Sequence, residues 1–267
     1  MNNKEYTSAD HTFSVCAYKE SPYLEECLLS LIKQTLKSKI IICTSTPNDS
    51  IRSLAEKYKL DLHVNDTKSG IAVDWNYAYS MSKTKLVTIC HQDDIYHNNY
   101  LEQILLYAHK AYKPLIVFTN YSEIRGDLIV KNNINLIIKR ILVLPIRFFK
   151  SSFLAKRLIL SFGDPICCPS VTFIKMNLPK ILFNEGFRSD LDWDTWERLS
   201  KIRGAFTYCP KKVISHRIHE DSETSNVLNE NIRIQEDYIM FKRFWAIPIA
   251  KILTKLYSSS EVNNKLE

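Results

Sequence analysis

Along the first 120 residues, short apolar and β-branched runs alternate with amphipathic stretches of helical period. Phe13–Tyr18 (FSVCAY) reads as a buried strand. Ser21 and Pro22 then give an N-cap and first-turn signal. Glu25 and Glu26 suit a positive helix end, and Leu24, Cys27, Leu28, Leu31 and Ile32 recur at helical spacing. The alternation continues with strand Lys39–Thr44, helix Ile51–Lys59, strand Leu62–Asn65 and helix Val73–Ser82. Strand Leu86–Cys90, a helix Asn98–Lys110 capped by Asn98, and strand Leu115–Thr119 follow. This order predicts an α/β fold built on a mostly parallel sheet flanked by helices. Ligands of such sheets bind beyond the carboxyl ends of the strands. Tyr18 to Glu20, Thr44 to Thr46, Asn65 to Lys68 and His91 to Asp94 are therefore candidates.

The alternation stops between Ser122 and Ser161. Beyond it, strands are expected at Ser170–Ile174, Ala205–Cys209 and Val213–Ser215, a helix at Asp192–Lys201, and a helical tail from about Asn226. The interruption carries the chain's charge excess. Lys and Arg number 36 against 29 Asp and Glu, a net charge of +7. Between Asp127 and Asp164 stand Lys131, Lys139, Arg140, Arg147, Lys150, Lys156 and Arg157, with no acidic residue.

From Ile134 to Phe162 these cations are interleaved with bulky apolar groups, and no uncharged run reaches the ~18 residues that span a bilayer. The pattern suits basic apolar helices lying on an anionic membrane surface, or a buried helical hairpin with snorkelling cations. A second patch favours the membrane: Lys242, Arg243, Lys251 and Lys255 alternate with Phe244, Trp245, Ile247, Ile249, Ile252 and Leu253. Nucleic acid is not an expected partner, because aliphatic rather than base-stacking residues space the cations. The expected organisation is an α/β half over 1–125, the basic segment over 126–163, a second half over 164–225 and a helical tail over 226–267.

Composition narrows the chemistry. Hydrophobic residues at 45% and charged residues at 24% suit a folded globular chain. The 5 glycines are too scattered for a dinucleotide fingerprint or a P-loop. Seven cysteines without a CxxC pair, mostly in apolar runs, and a polar Met1–Asp10 suggest reduced thiols in a cytoplasmic protein.

Three clusters could carry chemistry. His91-Gln92-Asp93-Asp94 follows a strand, and its adjacent carboxylates call for a cation or a shared proton. Such ligands suit Mg²⁺ or Mn²⁺, whose shells substrate phosphates complete. A solvated turn is the plain alternative. Asp190, Asp192 and Asp194 alternate with Leu191 and Trp193 at the head of a helix, where they could cap it or face a sugar. Ser215-His216-Arg217-Ile218-His219, followed by Ser222 and Thr224, could bind metal or phosphate.

Taken in order, these residues resemble family 2 glycosyltransferases of the GT-A fold, of the kind that builds bacterial surface polysaccharides. Ser14 to Tyr18, then Leu24, Leu28, Ser30, Leu31, Gln34 and Thr35, resemble the family's opening strand and its S-L-x-x-Q-T helix. Ser69-Gly70 with Asn76 resembles the stretch before the metal motif. Ile89 to Asp94 stands where the family has f-l-D-x-D-D. Asp192 to Leu199 resembles the catalytic-base region, and His216 to Thr224 the downstream y-R-x-H-x-x-S-x-T. Two departures stand out: His91 replaces the first metal-motif carboxylate, and the second strand ends Thr44-Ser45-Thr46 instead of in an Asp-Asp-Gly-Ser turn.

The resemblance implies an inverting transfer from a nucleotide sugar, UDP being commonest, to a hydroxyl of a glycan or lipid-linked acceptor. It implies Asp192 as general base, kept ionised by the helix end. Donor contacts are expected at Ala17, Tyr18, Glu20, Thr44, Ser45, Lys68, Gly70, Asn76, His91, Gln92 and Asp93. Acceptor contacts are expected at Asp190, Trp193 and Asp194. A divalent ion, Mn²⁺ or Mg²⁺, would sit on Asp93 and Asp94, with His219 as a further ligand. The expected location is cytoplasmic, peripheral on the inner face of the cell membrane. A sugar-phosphate nucleotidyltransferase and a catalytically degenerate membrane-bound partner protein are the alternatives.

Overall fold

The structure, a computed structural model, describes residues 6–219 and 230–266. Four strands form its parallel part: β1 (His11–Cys16), β2 (Lys39–Thr44), β3 (Asp61–Val64) and β4 (Leu86–His91). Helices α1 (Leu24–Ile32), α2 (Asp49–Tyr58) and α3 (Ile71–Met81) make the crossovers that parallel neighbours require. Cys16 pairs in register with both Cys43 and His91, so three strands end side by side.

The remaining strands are β5 (Ile95–Tyr96), β6 (Pro114–Arg125), β7 (Leu128–Val130), β8 (Val171–Ile174) and β9 (Ala205–Ile218). The sheet order is β3-β2-β1-β4-β8-β6-β9-β5, with β7 on β6. The parallel character expected from the sequence is confined to β3–β2–β1–β4 and the β6–β9 pair. β8 runs against both β4 and β6, β5 against β9, and β7 against β6, so the sheet is mixed.

Two expected strands, Ala205–Cys209 and Val213–Ser215, are one long β9. Register shifts against β6 accommodate Pro210, whose missing N–H cannot join a regular ladder. The expected caps also move. Tyr23, not Ser21, precedes α1, and α4 (Tyr100–His109) begins after Asn99. Gln34 holds that second start: its Oε1 accepts from Leu101 N–H (3.1 Å) and its Nε2 donates to His97 O (2.8 Å).

Apolar side chains fill both faces of the sheet. One core packs α1, α2 and α4 against Phe13, Val15, Ile42 and Val117. The other gathers Trp75 and Tyr79 of α3, Ile159 and Leu160 of α7 (Phe153–Leu160) and Trp193 and Trp196 of α8 (Leu191–Ser200). Met240 and Phe241 of α9 (Glu230–Lys242) and Ala250 of α10 (Ile247–Leu266) complete it. Asn76 anchors this side: its Oδ1 accepts from Leu182 and Phe183 N–H (3.0 Å each) and its Nδ2 donates to Phe183 O (2.8 Å).

The basic apolar segment folds as α5 (Ile134–Leu142), α6 (Leu144–Phe149) and α7. It is not a buried hairpin. Ile134, Ile137, Ile138, Ile141, Leu144, Phe149, Phe153 and Leu158 are exposed, Phe148 by 77% and Leu154 by 75%. Two of its cations, Lys156 and Arg157, turn inward instead. Lys156 is buried and donates to Ile202 O (2.7 Å) and Gly204 O (3.2 Å), and burial pulls its pKa down to about 8. Arg157 pairs with Glu197 (2.7 Å) and donates to Arg243 O (2.6 Å). Arg140 donates to Leu136 O (2.9 Å) and Asn132 (2.8 Å), and Lys150 to Lys110 O. The expectation that these cations face lipid fails for Lys156 and Arg157, which backbone carbonyls and the buried Glu197 claim. No helix among the described residues is long and apolar enough to cross a membrane.

Two outcomes follow for stability. Asn76→Ala leaves three backbone groups around buried Leu182 and Phe183 without their partners, at about 1–3 kcal/mol for each unmet group. A thermal melt should therefore show Tm lowered by at least about 4 °C. His11 is fully buried between Ser38 (3.0 Å) and Thr88 (2.8 Å), and burial lowers its pKa to about 3. The unfolded state takes up a proton near its ordinary pKa of about 6.5, and the native state does so only near pH 3. Stability should thus be lost progressively as pH falls from about 6.5 to about 3, and denaturant titrations of His11→Asn should show a shallower loss.

Candidate active site

At the joined ends of β1, β2 and β4 the chain turns three times in close company. Tyr18 and Gln92 bridge two of these turns by reciprocal bonds: Tyr18 N–H donates to Gln92 Oε1 and Gln92 Nε2 to Tyr18 O, each 3.0 Å. Lys19 N–H reaches Thr46 Oγ1 (2.6 Å), linking the first turn to the third. Thr44 is buried, and its Oγ1 accepts from Thr46 N–H (3.0 Å). Ser45 bonds Asp74 (2.9 Å) and Ser69 (3.0 Å), drawing the Gly70 turn against β2.

Gly70 precedes α3 with φ at 150°, a left-handed backbone that leaves the space above it open. Lys68 is ion-paired to Glu185. Glu20 lines a surface cleft of about 640 Å³ with Ser21, Pro22 and Glu25 on one side and Ser50, Ser53, Leu54 and Lys57 on the other. Most expected donor positions thus converge on this end of the sheet. Asn76 does not: its amide is spent on the 182–183 backbone.

His91, Asp93 and Asp94 form the group able to hold a metal, with ligand atoms within 4.8 Å of one another. Asp94 is fully buried, and its Oδ1 accepts from His216 Nδ1 and Arg217 N–H, each at 2.9 Å. Burial alone would neutralise His216, but Asp94 outweighs it and raises that pKa to about 9. The His91 ring stacks on Trp75 at 4.8 Å, and burial lowers its pKa to about 4, leaving a neutral imidazole at neutral pH.

His91 Nε2 and Asp94 Oδ2 are both buried without a hydrogen-bond partner. Two unmet atoms, one from an imidazole and one from a carboxylate, beside the second carboxylate of Asp93 fit a divalent cation. The expected ligand His219 lies behind this group, its Nε2 2.9 Å from Asp93 Oδ2, with Tyr23 packed on its ring. Arg217 completes the surround, donating to Asp93 O (3.0 Å) and pairing with Glu26 (2.6 Å). The motif positions Ser222 and Thr224 lie outside the described residues.

The acidic run at α8 sorts its members. Asp192, half-buried in the first turn, accepts from Trp193 N–H (2.8 Å). The helix end was expected to hold its carboxyl down, but burial dominates and raises it. Trp193 cannot serve as a platform for an acceptor sugar. It is 1% exposed, packs on Phe241 and Tyr257, and donates from Nε1 to Leu160 O (3.0 Å). Asp194 is likewise unavailable to an acceptor: it is buried between Arg198 and Arg243, each at 2.7 Å. Asp190 is buried beside Asp237, and burial with that neighbour raises its carboxyl well above the ordinary range.

The sequence offers His216 and Arg217 only within a cluster that could bind metal or phosphate, Lys139 only among the cations of the basic segment, and no role for Asp74 or Asp164. The His-Arg pair within the downstream motif was the available signal for the first two. For Asp164 there was none, because the residue that faces it is 28 positions away.

Known proteins similar to this chain bear on its fold and family. The sequence pattern of glycosyl transferase family 2 matches residues 12–178. A Haemophilus influenzae protein described as an uncharacterized glycosyltransferase is 25% identical over 232 residues, 80% of this chain and 67% of that one. Among solved structures, S. aureus TarS 1–349 in complex with UDP-GlcNAc superposes with a TM-score of 0.62 at 16% identity, covering 92% of this chain and 70% of that one. The UDP complex of the same protein gives 0.59 at 15% identity, covering 92% and 69%. Those likenesses establish the fold, which is the GT-A-like α/β fold expected, and the match over residues 12–178 places this chain in glycosyl transferase family 2.

Proposed function

We propose that the chain moves a sugar from a nucleotide-sugar donor, with UDP as the nucleotide, to a hydroxyl of a glycan or lipid-linked acceptor, inverting the anomeric centre. The observation that carries this reading is the His91–Asp93–Asp94 group, with two buried unmet atoms, at the joined strand ends of a family 2 chain. The TarS complexes with UDP-GlcNAc and UDP support the choice of nucleotide.

His91, Asp93 and Asp94 would hold a divalent ion, which would supply positive charge to the leaving diphosphate. An imidazole among its ligands favours Mn²⁺ over Mg²⁺, which prefers oxygen alone. The protein's own part is positional. Tyr18, Ser45 and Gly70 border the donor side, and Asp192 takes the acceptor proton. Asp192 is the member of the acidic run that neither the Arg198–Arg243 pair nor the Asp237 neighbour claims.

Asp93→Asn should abolish the thermal stabilisation that Mn²⁺ adds to a UDP-sugar. Asp192→Asn should keep donor binding and lose about 10²–10⁴-fold in kcat. Full donor binding by Asp93→Asn would displace the metal site. Donor binding by the wild type with no turnover on any acceptor would favour the degenerate-partner reading.

We further place the protein on the cytoplasmic face of the cell membrane, serving bacterial surface-polysaccharide assembly. The outward apolar residues of α5, α6 and α7 support this, and Ile247, Ile249, Ile252 and Leu256 of α10 extend the exposed apolar surface. The two patches adjoin, since Trp245 Nε1 donates to Ser161 O (2.6 Å) and packs on Phe162. With Lys156 and Arg157 turned inward, burial of apolar side chains more than charge should hold the bilayer. Phe148→Ser combined with Leu154→Ser should release the protein from anionic phosphatidylglycerol vesicles, whereas high salt should weaken wild-type binding only slightly. Release by salt alone would assign the attachment to charge.

A further inference from the structure

Asp164 sits where the surface segment re-enters the fold. It follows Gly163, whose φ of 132° and missing side chain let the Tyr257 ring come within 2.5 Å of the place a Cβ would occupy. Asp164 N–H points to the Tyr257 hydroxyl at 3.4 Å, and its Oδ1 accepts from Ile166 N–H at 2.9 Å. Its Oδ2 is buried and meets no donor, and its carboxyl group lies within hydrogen-bonding reach of the Asp192 carboxylate. Two carboxylates cannot bond to each other without a proton between them, and two like charges in a buried site do not both ionise.

The cation facing both is Lys139 of α5. Its neighbours Ile137, Ile138 and Ile141 face outward, while its ammonium lies 6.0 Å from the Tyr121 ring. One ammonium against two carboxyl groups balances when the pair keeps a single proton.

We propose that Asp164 is a neutral carboxylic acid that donates to Asp192, positions it, and leaves it one negative charge that Lys139 balances. This rests on Asp192 being the base. On attack, the acceptor oxygen bonds to the anomeric carbon while the bond to the diphosphate breaks and its electron pair departs with that group. The hydroxyl proton passes to Asp192, so the pair ends with two protons and no charge, and releases one to solvent before the next cycle.

The surroundings fit. Burial raises both carboxyls, Asp164 well above the ordinary range, and the bond between them raises Asp164 and lowers Asp192. Trp193 N–H favours charge on Asp192, and Ile166 N–H and Lys139 oppose the rise of Asp164 without reversing it. The remaining titratable groups facing the cluster are Asp190 from the turn before α8, Cys167 and Cys168 from the following turn, Tyr121 from β6 and Tyr257 from α10. Burial pushes both thiols well up, so they stay neutral.

The test reads the proton directly, by carbon NMR of protein labelled at the Asp carboxyl carbons. At neutral pH the wild type should show protonated Asp carboxyl signals, of which one vanishes in Asp164→Asn and is untouched by Asp190→Asn, while any signal of the buried Asp190 is untouched by Asp164→Asn. Lys139→Met should raise the titration midpoint of the Asp164-dependent signal. A wild type without any protonated Asp carboxyl, or a set of protonated signals that Asp164→Asn leaves unchanged, overturns the proposal whatever the variants' stability.

In turnover, Asp164→Asn retains a donor to Asp192 and should rescue most of the activity that Asp164→Leu loses. That loss is roughly 10–100-fold in kcat, as for other partners that orient a reacting group, with donor KM unchanged. If the Asp164 proton is present but Asp192→Asn remains active, the base assignment fails and the shared proton stands.

Discussion

The carboxylate of Asp94 has no exposure, and a buried charge is tolerated only when paired and hydrogen-bonded. Its partners, the His216 ring and the Arg217 N–H, come from β9, across the sheet from β4. That requirement pins the last strand to the end of the parallel part. Glu26, Asp93 and Tyr23 then fall around the Arg217 guanidinium. His91 is left neutral against Trp75. One carboxylate thereby ties the end of β4 to the end of β9.

A second set of buried charges does the same work behind the site. Glu197 is buried, and burial alone would raise its carboxyl, but Lys201 and Arg157 more than offset this and hold it below the ordinary range. With Asp194 it takes cations from α7, α8 and the end of α9. Truncating one member of such a cluster leaves the others charged and unpaired, which typically costs about 3–5 kcal/mol. These bonds explain how helices with such apolar outer faces stay docked. The segment is held by its cations from within, so its isoleucines and phenylalanines are free to face outward.

Most of the parallel part was legible in the sequence because each strand there is followed by its own amphipathic helix, and periodicity reports both. Lys39–Thr44 and Leu86–Cys90 were readable for that reason. The mixed part was less so. β5 and β7 have two and three residues, too few for any pattern, and Pro210 broke β9 into two apparent pieces. Among site residues, the metal group could be read because its members are neighbours in the chain. Trp193 and Asp194 were misjudged because alternate acidic residues at a helix start look the same whether cations bury them or water covers them. The inward turn of Arg157 and Lys156 had no sequence signal, since their partners Glu197, Ile202 and Gly204 are 40 or more residues away.

The bulged pairing of β6 with β9 also sets how this family member can vary in length. From Cys209 to Ser215 the strand β9 advances six residues while β6 advances three, from Thr119 to Ser122. Asn120 steadies the excess by donating to Pro210 O (3.3 Å). Beyond it, regular pairing returns, with Glu123 opposite His216 and Ile124 opposite Arg217. Side chains on a strand alternate faces, so a residue gained or lost between Pro210 and Val213 without being taken up by the bulge would exchange the faces of His216 and Arg217. Asp94 would lose its imidazolium while every residue that touches it remained in the sequence. Insertions and deletions here are therefore tolerated only where the bulge absorbs them, as it already absorbs an odd excess of three residues.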